Sequence, residues 1–272
     1  MAYDDDTHIQ NINNPEANKY CPNNNPLIDF AGYKWWINYH WSQKDGTYFY
    51  GDGGSFNSIF DPTIIKADGQ TVQLAIRKPS PADPNQVWRT SEIVLVDKLG
   101  YGKYLITAVA DNGSFANLDP KAVFGAFTYQ YSEAPPEQGL NKHREIDGLE
   151  VLRGGASNAQ FTLQPYDPPP NPVKFFTIPP DVGVLTMYLH WFEENGVPVC
   201  HWALYYKDLD LGGISLLGPD QAWQAQGFEH YIPRHTATSC ERFHINLWLM
   251  FGKNATGLEQ SVTVKRFQFE PA

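Results

Sequence analysis

Apolar positions along this 272-residue chain alternate with polar ones, and almost no stretch repeats its apolar residues every three to four. Runs rich in β-branched and aromatic residues lie at Lys34 to Tyr39, Tyr48 to Tyr50, Thr71 to Arg77, Ser91 to Val96 and Gly102 to Ala110. Between them stand Asp45-Gly46, Gly51-Asp52-Gly53-Gly54, Asp68-Gly69 and Asp111-Asn112-Gly113. Side chains of the first kind pack well on a pleated surface, while Gly, Asn and Asp supply turn conformations. Short strands at this spacing predict an all-β sandwich or barrel. One short helical turn is expected, from Asp220 to Gln226 after Pro219. The five prolines within residues 165–172 form a loop and not a linker, because strand patterns resume on both sides. Residues 1–27, rich in Asn and punctuated by Pro15, Pro22 and Pro26, read as a polar tail. Residues 28–272 read as a single β domain.

One strand-like stretch, His143 to Val151, carries three acids within six residues: Glu145, Asp147 and Glu150. Strand side chains alternate faces, so Glu145 and Asp147 point the same way, and strict alternation would send Glu150 to the other side. Gly148 can absorb a bulge, and one extra residue resets the alternation so that all three acids share a face. Clustered acids raise the pKa of at least one member, and two carboxyls with separated pKa values are what glycosidic hydrolysis needs. An acidic run is more commonly a charged sheet edge. Here, however, the acids alternate with Ile146, Leu149 and Val151, so one face is core and the other carries only acid.

The spacing of Glu145, Asp147 and Glu150 resembles the active-site strand of glycoside hydrolase family 16, in its laminarinase-like form. Other stretches follow in that family's order: Gly100-Tyr101-Gly102-Lys103-Tyr104, Gly125-Ala126-Phe127-Thr128-Tyr129, Asn158-Ala159-Gln160-Phe161 and Ile245-Asn246-Leu247-Trp248. The resemblance covers roughly residues 28 to 270. It implies a two-sheet antiparallel β-sandwich, a jelly roll, with a concave substrate cleft across the acidic strand. It also implies a retaining, endo-acting β-glycoside hydrolase of glucan or galactan type. Glu145 would be the nucleophile, Glu150 the acid and base, and Asp147 a hydrogen-bond partner of Glu145. Glu92, Asn246 and Trp248 would meet the sugar. Gln160 and Gln164 share a strand face and are expected to flank the acids with amide donors.

The chain departs from that pattern as well. Val94 stands where an Arg is common, Leu185 and His190 replace a His and an Asp, and His143-Arg144 precede the motif in place of an aromatic or small residue. These departures motivate the alternative of a non-catalytic carbohydrate-binding protein on the same scaffold. A binding protein, though, has no need of three like charges that repel one another.

Composition narrows the partners. A net charge of −10 disfavours nucleic acid and anionic membrane, both of which call for a basic surface. Aromatics at 14% suit a carbohydrate cleft as well as a core. No apolar run approaches the ~20 residues of a membrane span. The acidic start has no leader pattern, so an extracellular polysaccharide hydrolase whose leader has been removed is expected, with a cytoplasmic location left open. Cys21, Cys200 and Cys240 fit no zinc or redox spacing and allow at most one disulfide. The histidines form no metal-binding pattern, and no Gly-rich phosphate loop opens a helix. No cofactor is required for this chemistry and no metal ligand is assigned. The resemblance allows a structural calcium on the convex face without residues here to attach to it. A monomer is expected. Asn112 and Asn254 head glycosylation sequons.

Overall fold

The computed structural model describes residues 26–38, 42–44, 47–49, 58–79, 87–130, 141, 144–152, 157–165, 171–236, 239, 241–250 and 254–272. Cys21, Cys240, His143 and nearly all of the polar tail lie outside the described residues; Cys200 is buried and unpaired.

The strands in chain order are β1 (Leu27–Phe30), β2 (Tyr33–Ile37), β3 (Ser42–Lys44), β4 (Thr47–Phe49), β5 (Ile59–Phe60), β6 (Lys66–Ala67), β7 (Val72–Ile76), β8 (Arg89–Leu95) and β9 (Gly102–Ala110). They continue as β10 (Ala122–Tyr129), β11 (Ile146–Leu152), β12 (Ala159–Leu163), β13 (Val173–Phe176), β14 (Val184–Glu194) and β15 (Val197–Tyr205). After one turn of helix, α1 (Leu211–Ile214), come β16 (Gln221–Gln224), β17 (Arg242–Leu249) and β18 (Gln260–Pro271). A front sheet runs β1-β2-β8-β17-β10-β11-β12-β13, antiparallel throughout, with the short β5 lying parallel beside β8. A back sheet runs β16-β15-β14-β9-β18-β7-β6, and β3 pairs with β4. The result is the expected two-sheet antiparallel sandwich.

Alternation builds the core. Ile93, Ile245, Ala126, Leu149 and Phe161 from the front sheet meet Ile106, Leu189, Trp202, Val262 and Phe267 from the back, all of them buried. Edge-to-face pairing of Trp35 with Phe267, at 5.0 Å between ring centroids, ties the two layers together.

The segment Asp220 to Gln226 is not helical. It forms the edge strand β16, in register with β15, with Trp223 opposite Trp202. Stacking of those two indoles, 4.6 Å apart, outweighs the local preference of a Pro-Asp start for a helical turn.

Candidate active site

Strand β11 pairs with β10 on one side and β12 on the other, and both ladders slip at the same place. Leu149 faces Ala126 and Asp147 faces Phe127, which leaves Gly148 as an unpaired extra residue. The β12 register likewise shifts between Asp147 and Glu150. This is the β-bulge that the glycine suggested, and it returns Glu150 to the face that carries Asp147. A Cβ at Gly148 would lie 2.7 Å from Met187 Sδ and 3.1 Å from the Ala126 carbonyl oxygen, so any larger residue there would have to displace Met187 and press on the β10 backbone. Trp202, reaching across from the back sheet, donates its indole N–H to the Asp147 carbonyl at 3.0 Å and pins the strand there.

Register then sets two rows of side chains on the outer face of the front sheet. One row runs Glu92, Asn246, Gly125, Glu150 and Gln160, across β8, β17, β10, β11 and β12. The next runs Val94, His244, Phe127, Asp147 and Thr162 across the same strands. Gly125 leaves a gap in the first row between Asn246 and Glu150, where a Cβ would come within 2.5 Å of Asn246 Oδ1.

Two of the acids have side-chain amide donors, and the third is held through its backbone. Gln160 Nε2 donates to Glu150 Oε2 at 2.6 Å, with Thr162 Oγ1 at 3.4 Å from the same oxygen. Gln164 Nε2 donates to Asp147 Oδ2 at 3.0 Å. Glu145 lies just ahead of β11, where Asn141 clamps its backbone: Nδ2 donates to the Glu145 carbonyl at 2.8 Å and Oδ1 accepts from its N–H at 3.0 Å. Before it, Arg144 is buried with φ of 49°, a left-handed conformation rare outside glycine. Arg144 Nε lies 3.9 Å from Glu241 Oε2, and His235 Nδ1 bonds the other oxygen of that carboxylate.

Electrostatics follow from burial and crowding. Burial, then the charges of Glu150 and Glu92, push the Glu145 carboxyl up to about 8, against a hydrogen bond from Asp147 that works downwards. Burial, then Glu150 and Glu145, hold Asp147 well above the carboxylate range. Burial also raises Glu150, opposed by the bonds from Gln160 and Thr162. The hydrogen bond between them raises Asp147 and lowers Glu145, so it favours the proton on Asp147, and the three titrate as a set. Glu92 behaves differently. Its burial is outweighed by the bond and the charge of His244 and by bonds from Asn38 and Asn246, which together hold it below the usual range.

A stability effect follows. Because the three raised carboxyls bind protons more tightly in the folded chain than in the unfolded one, their stabilising contribution is complete below the ordinary carboxylate range. It is lost as pH rises towards about 8. Between pH 5 and 8 the melting midpoint is expected to fall by roughly 5 °C. Asp147→Asn, which keeps the hydrogen bonds and removes one ionisation, should flatten that slope. An unchanged slope in the variant would show that the triad is not its source.

The residues singled out from sequence come together in part. Glu145, Asp147 and Glu150 share one face with Gln160 and Gln164, and Glu92 bonds Asn246 at 3.1 Å. Trp248 is half-buried one pair further along the same face, opposite Val123. Leu185 is core, and His190 lies on the outer face of the back sheet, stacked on Phe192 at 4.2 Å. Sequence reasoning passed over Asn38, Thr162, Asn141 and His244. Thr162 and His244 left a usable signal, since one lies midway between Gln160 and Gln164 and the other two residues before Asn246, each on the same strand face as its neighbours. Among the described residues no three His, Cys, Asp or Glu side chains gather to hold a metal ion, and the chemistry proposed below uses none.

No family model and no curated protein matches this sequence. Solved structures do. A prokaryotic β-1,3-1,4-glucanase (lichenase) from a mouse hindgut metagenome superposes with a TM-score of 0.55 at 17% identity, over 88% of this chain and 99% of its own. The chain has the fold of the β-glucanases. The endo-1,3-β-glucanase of Streptomyces sioyaensis matches the same sandwich with a TM-score of 0.56 at 13% identity, covering 92% of this chain and 97% of that one. The Bacillus licheniformis β-glucanase does so at 0.53 and 17%, over 85% and 92%. Within this glucanase fold the acid-bearing strand β11 lies inside the front sheet, flanked by β10 and β12.

Proposed function

We propose that the chain is an endo-acting, retaining β-glycoside hydrolase whose site is the bulged strand β11. The observation that carries this reading is the bulge at Gly148, which sets three carboxyls with unequal surroundings on one outward face. A fold shared with glucanases supports a polysaccharide as substrate.

Glu145 attacks the anomeric carbon and forms a glycosyl-enzyme; Glu150 protonates the leaving oxygen and then takes a proton from water. Burial and the neighbouring acids raise both Glu145 and Asp147, while the hydrogen bond from Asp147 works against the rise of Glu145 and so favours the charge that Glu145 needs when it attacks. As the sugar ring gains positive charge, the Glu145 carboxylate is stabilised further, and Asp147 can weaken its bond as attack proceeds. Gln160 and Thr162 fix the Glu150 carboxyl in place. The two glutamates and water supply every proton transfer, with no cofactor. The protein works as a monomer outside the cell, on a polysaccharide whose linkage this site leaves open between glucan and galactan.

The test is reducing-end release from β-1,3-glucan, mixed-linkage glucan, agar, carrageenan and galactan across pH 4 to 9. At least one neutral polymer should be cut, with a bell-shaped profile whose acidic limb, set by ionisation of Glu145, runs up towards about 8. Tight binding with no release from any polymer would instead favour a carbohydrate-binding protein, the reading that the departure at Val94 suggests.

A further inference from the structure

The outer face of the front sheet continues past the acids to its edge strand, β13. Gln160 pairs with Phe175 and Thr162 with Val173, so these two residues extend the rows that hold Glu150 and Asp147. Alternation along β13 agrees with this register. Phe176 turns to the core, 6% exposed, and packs on Phe161 at 4.6 Å between ring centroids. Phe175 faces the other way and is 59% exposed. Edge strands are commonly guarded by charge, as Lys174 guards this one, yet Phe175 adds an open aromatic ring at the end of the acidic row.

The two ends of that row differ in chemistry. At one end Glu92 and Asn246 bond each other at 3.1 Å; at the other stand Phe175 and Val173. Glu150 is tied to the second end, because Gln160 and Thr162 of β12 hold its Oε2. Glu145 feels the charge of Glu92 at the first. The oxygen that Glu150 protonates is therefore directed towards β12 and β13, and so is the sugar chain that leaves with it. Phe175 lies two strands from Glu150, ~10 Å at the usual strand spacing, which is about the length of two linked sugar units. A β-linked sugar ring presents apolar C–H faces, and an exposed aromatic ring covers such a face well.

We propose that Phe175 is a specificity-determining residue that stacks on the second sugar unit of the leaving chain and makes the protein prefer long chains cut internally. This rests on the reading of β11 as a hydrolase site. The stacking acts on the leaving chain alone, so its energy is used only when a sugar chain departs.

Two substrates separate this role from general damage: a hexasaccharide of the polymer that the chain cuts, and a β-glycosyl fluoride of three of the same sugar units. The fluoride leaves as a single ion with nothing to stack. Phe175→Ala should lower kcat/KM on the hexasaccharide by about ten-fold, the effect of uncovering one partly buried aromatic ring, and change the fluoride by less than two-fold. Phe175→Trp should restore the hexasaccharide rate. The wild-type chain gives a check that needs no variant: from a hexasaccharide labelled at its reducing end, the first labelled products should be two or more units long. A labelled monosaccharide as the main first product would overturn the proposal. So would a hexasaccharide loss under two-fold, an equal loss on both substrates, or a loss that follows dissociation of a dimer in sedimentation. Cleavage of neither substrate by the wild-type chain would overturn the hydrolase reading, and this inference with it.

Discussion

Glu145→Gln is expected to lower reducing-end release by at least ~1,000-fold while leaving the fold intact, because an amide cannot attack the anomeric carbon. The loss should appear in kcat, since the amide preserves the size of the side chain and most of its contacts to substrate. The variant should also melt slightly higher than the wild-type chain at pH 8. Glu145 is held up to about 8 by burial and by Glu150 and Glu92, so neutralising it relieves repulsion on its neighbours. Circular dichroism and thermal melts establish the fold, and stopped-time sugar assays give the rate. A variant that keeps even a tenth of wild-type turnover would remove Glu145 from the nucleophile's role.

Arg144→Leu should produce the largest loss of stability of any substitution near the site. Arg144 and Glu241 are 1% and 2% exposed, so removing the guanidinium strands a charge in the interior. Breaking such a pair costs about 3–5 kcal/mol, here towards the lower end because His235 keeps its bond to Glu241. Urea titration should show the drop as a shifted midpoint with an unchanged slope. Activity should fall as well, because the Arg144 carbonyl accepts from Thr128 Oγ1 at 2.8 Å, and the same hydroxyl accepts from the Ile146 N–H at 3.1 Å. A loss below about 1 kcal/mol would mean that Glu241 is adequately served by His235 alone.

Much of the fold was legible because β-sheet patterning is local. Gly102 to Ala110 was read as a strand with its final bounds, and the other early strands shifted by only one or two residues. The bulge was legible too, since three acids on one face and an apolar opposite face cannot coexist without one extra residue at Gly148. The Glu92 cluster was not. Its members are separated by 54 residues in one case and by more than 150 in two others, and no local pattern encodes such pairings. His244 was set aside with the other histidines because a lone His in a strand carries no metal or catalytic spacing. Asp220 to Gln226 went wrong for the opposite reason. Its local turn signal was genuine, but Trp223 gained more from lying on Trp202 in the neighbouring strand.

The central claim is that the bulged strand performs retaining hydrolysis, and the anomer of the freshly formed chain end reports on it most directly. Proton NMR of a neutral β-glucan oligosaccharide, recorded within the first minutes of incubation with the wild-type chain, should show the new hemiacetal in the β form before mutarotation. Initial appearance of the α anomer would contradict a Glu145 glycosyl-enzyme. No new hemiacetal from any neutral β-glycan would contradict the account as a whole.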